Sequence, residues 1–149
     1  MKIIVKHEPI DDIEITIQCK EDDPKLDSII NSLKLIDLTL TGKIEDRQFK
    51  IDARRIYYFE SVDDKVFCYT QSDVYETKYR LYELENILPK NFIRVSRTTV
   101  LNLRKIQSFK SILSGRIECL LKNKEKVFIS RNYVKRLKQN LGVYRGEHK

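Results

Sequence analysis

The sequence predicts a mainly β fold of the α+β class. Most apolar residues fall in short runs that alternate with polar ones, the pattern of half-buried strands. Between the runs lie turn formers such as Asp63-Asp64, Gln71-Ser72-Asp73, Ser114-Gly115 and Asn123-Lys124-Glu125. Three segments carry helical spacing instead. At 149 residues the chain fits one domain, or a domain of about 100 residues with a small appendage.

Residues 2–6 and 13–19 read as strands, the second through the alternation of Ile13, Ile15, Ile17 and Cys19. A helix follows. Asp23 suits its cap, Pro24 its first position, and Leu26, Ile29, Ile30 and Leu33 recur at i, i+3, i+4 and i+7. Ile36, Leu38 and Leu40 alternate in a strand over 36–41, with a turn expected at Gly42. Residues 1–46 thus form a strand, strand, helix, strand unit.

Further strands are predicted at 49–51, 56–60, 66–70, 74–78, 93–95, 106–113, 117–121 and 126–130. Two helices interrupt them. One spans 81–88, with Leu81, Leu84, Ile87 and Leu88 on one side and Pro89 beyond. The other spans 131–141, with Ser130 as cap, Val134, Leu137 and Leu141 packing, and Gly142 as stop. Residues 143–149 are expected to fray.

Charge divides the chain where no Pro- or Gly-rich linker does. Residues 1–46 hold six Lys against eleven Asp and Glu, a balance of −5, whereas 47–149 hold 23 Lys and Arg against eleven acids, a balance of +12. Within the second part, 90–149 carry sixteen basic residues and only Glu118, Glu125 and Glu147. A field of that sign attracts a polyanion. The basic residues interleave with strands and do not line one face of an amphipathic helix, which argues against an anionic membrane as the target.

Enzyme signatures are missing: four glycines form no phosphate loop, no HExxH or GxSxG occurs, and the two histidines lie near the ends. No enzymatic activity and no cofactor are expected. Cys19, Cys68 and Cys119 are far apart, each within an apolar run, and are expected to be small buried hydrophobes and neither disulfide partners nor metal ligands. The first residues lack the layout of a secretory signal, and no apolar run approaches the roughly 20 residues that span a bilayer, so a cytoplasmic protein is expected.

Two basic segments carry recognition chemistry. FIRVSRTTVLN (92–102) can pack Phe92, Val95, Val100 and Leu101 while leaving Arg94, Ser96 and Arg97 available. FISRNYVKRLKQNLG (128–142) opens a helix at Arg131 and Asn132 and carries Lys135, Arg136 and Lys138 on its other face. An arginine fork matches the O6/N7 edge of guanine, and asparagine can pair with adenine.

With IYYFESVDDKVFCYT (56–70) and YRLYELENILPKNFIRVSRTTVLNLRKIQSF (79–109) placed before SGRIECLLKNKEKVFISRNYVKRLKQNLG (114–142), the ordered set resembles a LytTR DNA-binding domain. The resemblance covers 47–142 and implies an elongated β fold with two short helices that reads DNA through loops between strands. It places DNA contacts at residues 63–66, with Lys65, at Ser96 and Arg97, and at Arg131 and Asn132; Arg94, Lys135 and Lys138 complete the expected set. Ser96 stands where histidine is common in the family, so base preference does not carry over. With only about 45 residues ahead of the domain, the chain resembles stand-alone LytTR regulators, often encoded beside an inhibitory membrane protein.

The expected function is sequence-specific binding of double-stranded DNA and regulation of transcription, by a homodimer in which residues 1–46 are a regulatory or dimerising unit. On this view residues 1–43 can be removed from a domain that still binds DNA. The alternative is a protein-interaction module whose N-terminal unit binds a partner, with weak non-specific nucleic-acid binding.

Overall fold

The computed structural model describes residues 1–141, with side chains through Leu137; the tail predicted at 143–149 lies outside the described residues, as do the side chains of Lys138 and Leu141. Along the chain come α1 (Leu26–Ile36), β1 (Thr39–Ile44), β2 (Arg47–Asp52), β3 (Tyr58–Val62), β4 (Lys65–Tyr69), β5 (Val74–Thr77), α2 (Leu81–Ile87), β6 (Phe92–Ser96), β7 (Thr99–Asn102), β8 (Ile106–Ser111), β9 (Ile117–Leu121), β10 (Lys126–Ile129) and α3 (Val134–Leu141). Seven strands form one sheet in the order β2-β1-β5-β4-β3-β7-β6, and β10-β9-β8 form a second. All pairings are antiparallel.

Side-chain alternation gives the β6–β7 hairpin two buried faces. Phe92 and Val100 join a core with Leu35, Leu40, Ile51, Phe59 and the α2 residues Leu81, Leu84 and Leu88. Ile93, Val95 and Leu101 point the other way, into a core closed by Ile117, Cys119 and Leu121 of β9, Ile129 of β10 and Leu137 of α3. Asn102, last residue of the 92–102 segment, is buried and clips the edge of these layers. Its Nδ2 donates to the Ile56 carbonyl at 2.8 Å, while its Oδ1 accepts from Asn91 Nδ2 at 2.9 Å and from the Arg104 amide at 3.0 Å.

The N-terminal strand, strand, helix, strand unit needs correcting. Residues 2–6 and 13–19 form no strand, and most of their apolar side chains face solvent, Ile3 at 79 % and Ile13 at 86 % exposure, with Ile17 half-buried. Alternation makes a segment fit for a sheet, but a strand needs a neighbour to complete its ladder, and among the described residues no strand pairs with this arm. The helix starts later than predicted: α1 begins at Leu26 with Lys25 at its cap position and no side-chain cap, while Asp23 Oδ1 accepts the Lys25 amide at 2.9 Å in the turn before it. Of the predicted stripe, Leu26, Ile29, Ile30 and Leu33 are only half-buried, and it is Leu35 that α1 buries.

The strand predicted at 36–41 is shifted, because α1 runs through Ile36 and β1 continues past Gly42 to Ile44. The turn falls instead at Glu45-Asp46, where Glu45 takes a left-handed φ of 56°. Gly42 is required by crowding: a Cβ there would lie 2.8 Å from Tyr75 Cβ and 2.9 Å from Ile51 Cδ1. Gly42→Ala is expected to destabilise the fold by about 1–3 kcal/mol through overpacking, read as a lowered urea midpoint at unchanged slope. β7 was not anticipated, and the last helix opens with a 3₁₀ turn, Arg131–Tyr133, before α3.

Cys68 and Cys119 are buried, and burial pushes both thiols up to about 12, with Glu118 adding to the effect at Cys119. They behave as core hydrophobes. Cys19, by contrast, is exposed on the N-terminal arm, against the expectation for all three.

Candidate nucleic-acid interface

Two hairpin turns and one strand end meet at the same end of the molecule. In the first turn Asp63 and Asp64 adopt φ of 49° and 66°, the left-handed pair that a type I′ hairpin needs and that Asp tolerates. Val62 then faces Lys65 across the hairpin, leaving the Lys65 side chain exposed at the start of β4. In the second, a register shift between Arg94 and Ser96 bends β6 into the turn of Arg97 and Thr98. Ser96 Oγ accepts the Thr98 amide at 3.2 Å, so this hydroxyl shapes its own turn.

Backbone hydrogen bonds hold the pieces together. The Ser61 amide donates to the Thr98 carbonyl at 2.8 Å, which sets the two turns side by side. The Ser130 amide donates to the Val95 carbonyl at 2.9 Å, so Arg131 and Asn132 emerge next to the Ser96-Arg97 turn. Lys65, Arg97, Arg131 and Asn132 are all exposed, whereas Ser96 is half-buried. Lys135 is exposed further along, on α3, and Lys138 lies in α3 with its side chain outside the described residues.

Arg94 is engaged within the protein: its guanidinium donates to Glu85 and to the carbonyls of Ser96 and Arg97. Sequence reasoning missed three neighbours of the site. Gly115, with φ +82°, seats Arg131, because a Cβ there would come within 2.9 Å of Arg131 Cδ. Arg80 and Tyr82, both exposed, flank a cleft of 490 Å³ that Ser61, Arg94 and Arg97 also line. The Gly in the Ser114-Gly115 turn was visible, but its contact with a residue so distant in sequence was not.

A cluster of cationic and amide side chains at one rim of a sheet, fed by separate loops, has the chemistry to meet phosphates and base edges together. Residues 46–142 match the LytTr DNA-binding domain. The chain belongs to the LytTR family. Among similar proteins are two HTH-type transcriptional regulators of Staphylococcus aureus, from strains NCTC 8325 / PS 47 and COL; each is 30% identical over 131 residues, covering 87% of this chain and 89% of the relative. A solved LytTr DNA-binding domain from Bacillus cereus superposes with a TM-score of 0.67 at 26% identity, covering 70% of this chain and 96% of that one. The fold is thus the mostly β LytTR fold expected, with three short helices among the described residues. Although the relatives' names refer to a helix-turn-helix, the helices here are separated by strands, five of them between α2 and α3. No helix among the described residues is long and apolar enough to cross a membrane.

Proposed function

We propose that this LytTR chain binds double-stranded DNA sequence-specifically and regulates transcription, with Arg97 and Arg131 on base edges and Asn132 and Lys65 beside them. The observation that carries the reading is the convergence of three segments, distant in sequence, on one rim with those four side chains exposed. Lys135 and Lys138, further along α3, would meet the phosphate backbone. No enzymatic step or cofactor enters this reading, and a cytoplasmic location fits it.

A homodimer accords with the exposed apolar residues of the arm, such as Ile3, Ile13 and Ile15, and with the half-covered stripe of α1, which pairing of two chains would cover. An inhibitory membrane protein is a further partner that the family resemblance alone suggests.

The test is a salt titration on duplex DNA. If about five to seven phosphates are neutralised, log K should fall against log salt with a slope of roughly −4 to −6. A flat response, or no binding at about 50 mM salt, would remove the DNA reading.

A further inference from the structure

Arg94 was expected at the DNA, yet its guanidinium is committed elsewhere. Nε donates to the Ser96 carbonyl at 3.0 Å and Nη2 to the Arg97 carbonyl at 2.7 Å. Both acceptors belong to the turn between β6 and β7. Nη1 donates to Glu85 Oε2 of α2 at 2.6 Å, with side-chain exposures of 21% and 30% for the pair. The other Glu85 oxygen, Oε1, lies 3.6 Å from Arg136 Nη1 on α3, the helix that follows Arg131 and Asn132.

A carboxylate on one helix therefore holds the planar fork that binds two turn carbonyls, and it also touches the helix behind the second reading segment. A lysine could not reproduce this, because its ammonium is a point donor without the fixed geometry of the fork. The turn contains no glycine to set its shape, and its two carbonyls point at Arg94.

We propose that Glu85 and Arg94 are positioning residues for sequence readout: Glu85 orients Arg94, Arg94 fixes the Ser96-Arg97 turn, and the Arg97 side chain is thereby presented at a set angle. The proposal rests on the reading of DNA by that turn. A recognition side chain must be held close to its productive geometry by neighbours that do not themselves touch the ligand.

Electrostatics and positioning predict opposite signs for Glu85→Gln. Removing a negative charge beside two arginines raises attraction to any duplex, so charge alone predicts tighter binding everywhere. Positioning predicts loss only where sequence is read. The experiment selects a duplex from a random pool with the wild-type chain, then measures Glu85→Gln and Arg94→Lys on that duplex and on a scrambled one, with circular dichroism on each variant.

The expected result is a loss of about tenfold on the selected duplex, the scale of one misplaced base-edge contact, with scrambled-duplex affinity retained or raised. Unchanged or tighter binding on both duplexes overturns the proposal. Parallel loss on both, with or without loss of fold, overturns it too, because it makes the pair structural only. If the wild-type chain itself fails to discriminate between duplexes, the underlying DNA reading fails, which is a separate outcome.

Discussion

Removal of residues 1–43 is expected to abolish the folded domain, whereas removal of residues 1–19 should leave it intact. The longer cut takes almost all of β1, an interior strand that pairs with β2 from Thr39↔Asp52 to Ile44↔Arg47 and reaches β5 at Lys43↔Glu76. With it go Leu35 and Leu40, both at most 3% exposed, and the Leu38 carbonyl that accepts the Ala53 amide at 3.0 Å. Truncating a buried leucine alone costs about 2–5 kcal/mol, so losing two, together with the hydrogen-bonded ladder of an interior strand, is comparable to a typical domain stability of about 5–15 kcal/mol. The shorter cut removes side chains that face solvent, among them Ile3, Ile4, Val5, Ile13 and Ile15. Circular dichroism and urea unfolding of both truncations measure the difference. A cooperative transition in the longer truncation would show that β1 is dispensable. Sedimentation of the shorter one tests dimerisation, since a chain that remains dimeric without residues 1–19 does not pair through the arm.

Arg97→Ala and Arg131→Ala should each weaken binding to a cognate site roughly tenfold or more, a bidentate arginine contact to guanine contributing about 1–3 kcal/mol of discrimination. Binding to a scrambled duplex should fall far less. Lys135→Ala or Lys138→Ala, by contrast, should weaken both duplexes alike and reduce the salt slope by about one unit where a phosphate contact is lost. Both arginines are exposed at one rim, and Arg131 runs across Gly115, which fixes the direction of its stem. Competition titration of each mutant on the two duplexes gives the comparison. Equal losses on both for the arginine variants would make them backbone contacts and shift sequence readout to Lys65 or the Ser96 turn.

Much of the β architecture was legible because burial and alternation coincide. In β9, Ile117, Cys119 and Leu121 are buried while Glu118 and Leu120 are not, the period-two pattern visible in the sequence. β7 escaped notice for the opposite reason: all four residues of Thr99–Asn102 are buried, two by polar side chains, so no alternation marks it. Residues 13–19 carried the pattern without the partner strand. The segments that converge at the candidate site were legible from ordered motifs, but Arg94 was not distinguishable from Arg97. Both are arginines in one basic run, and the difference lies in Glu85, nine residues away in sequence and on another element. Nothing in the sequence marks Arg80 and Tyr82 as near the site, because it is the folded sheet that brings them to a cleft Arg97 also lines.

The hairpin of β6 and β7 has a face in each core, with Phe92 and Val100 on one side and Ile93, Val95 and Leu101 on the other. Neither sheet can open alone without stripping the apolar surface that the other covers, so the two cores form one cooperative unit. The Ser96-Arg97 turn is the tip of that shared hairpin, and the Arg94 guanidinium holds its two carbonyls. On the proposed reading, in which this turn contacts DNA, association orders little backbone there, unlike recognition by segments that fold on their target, and the entropy of ordering is met during folding and not at the encounter.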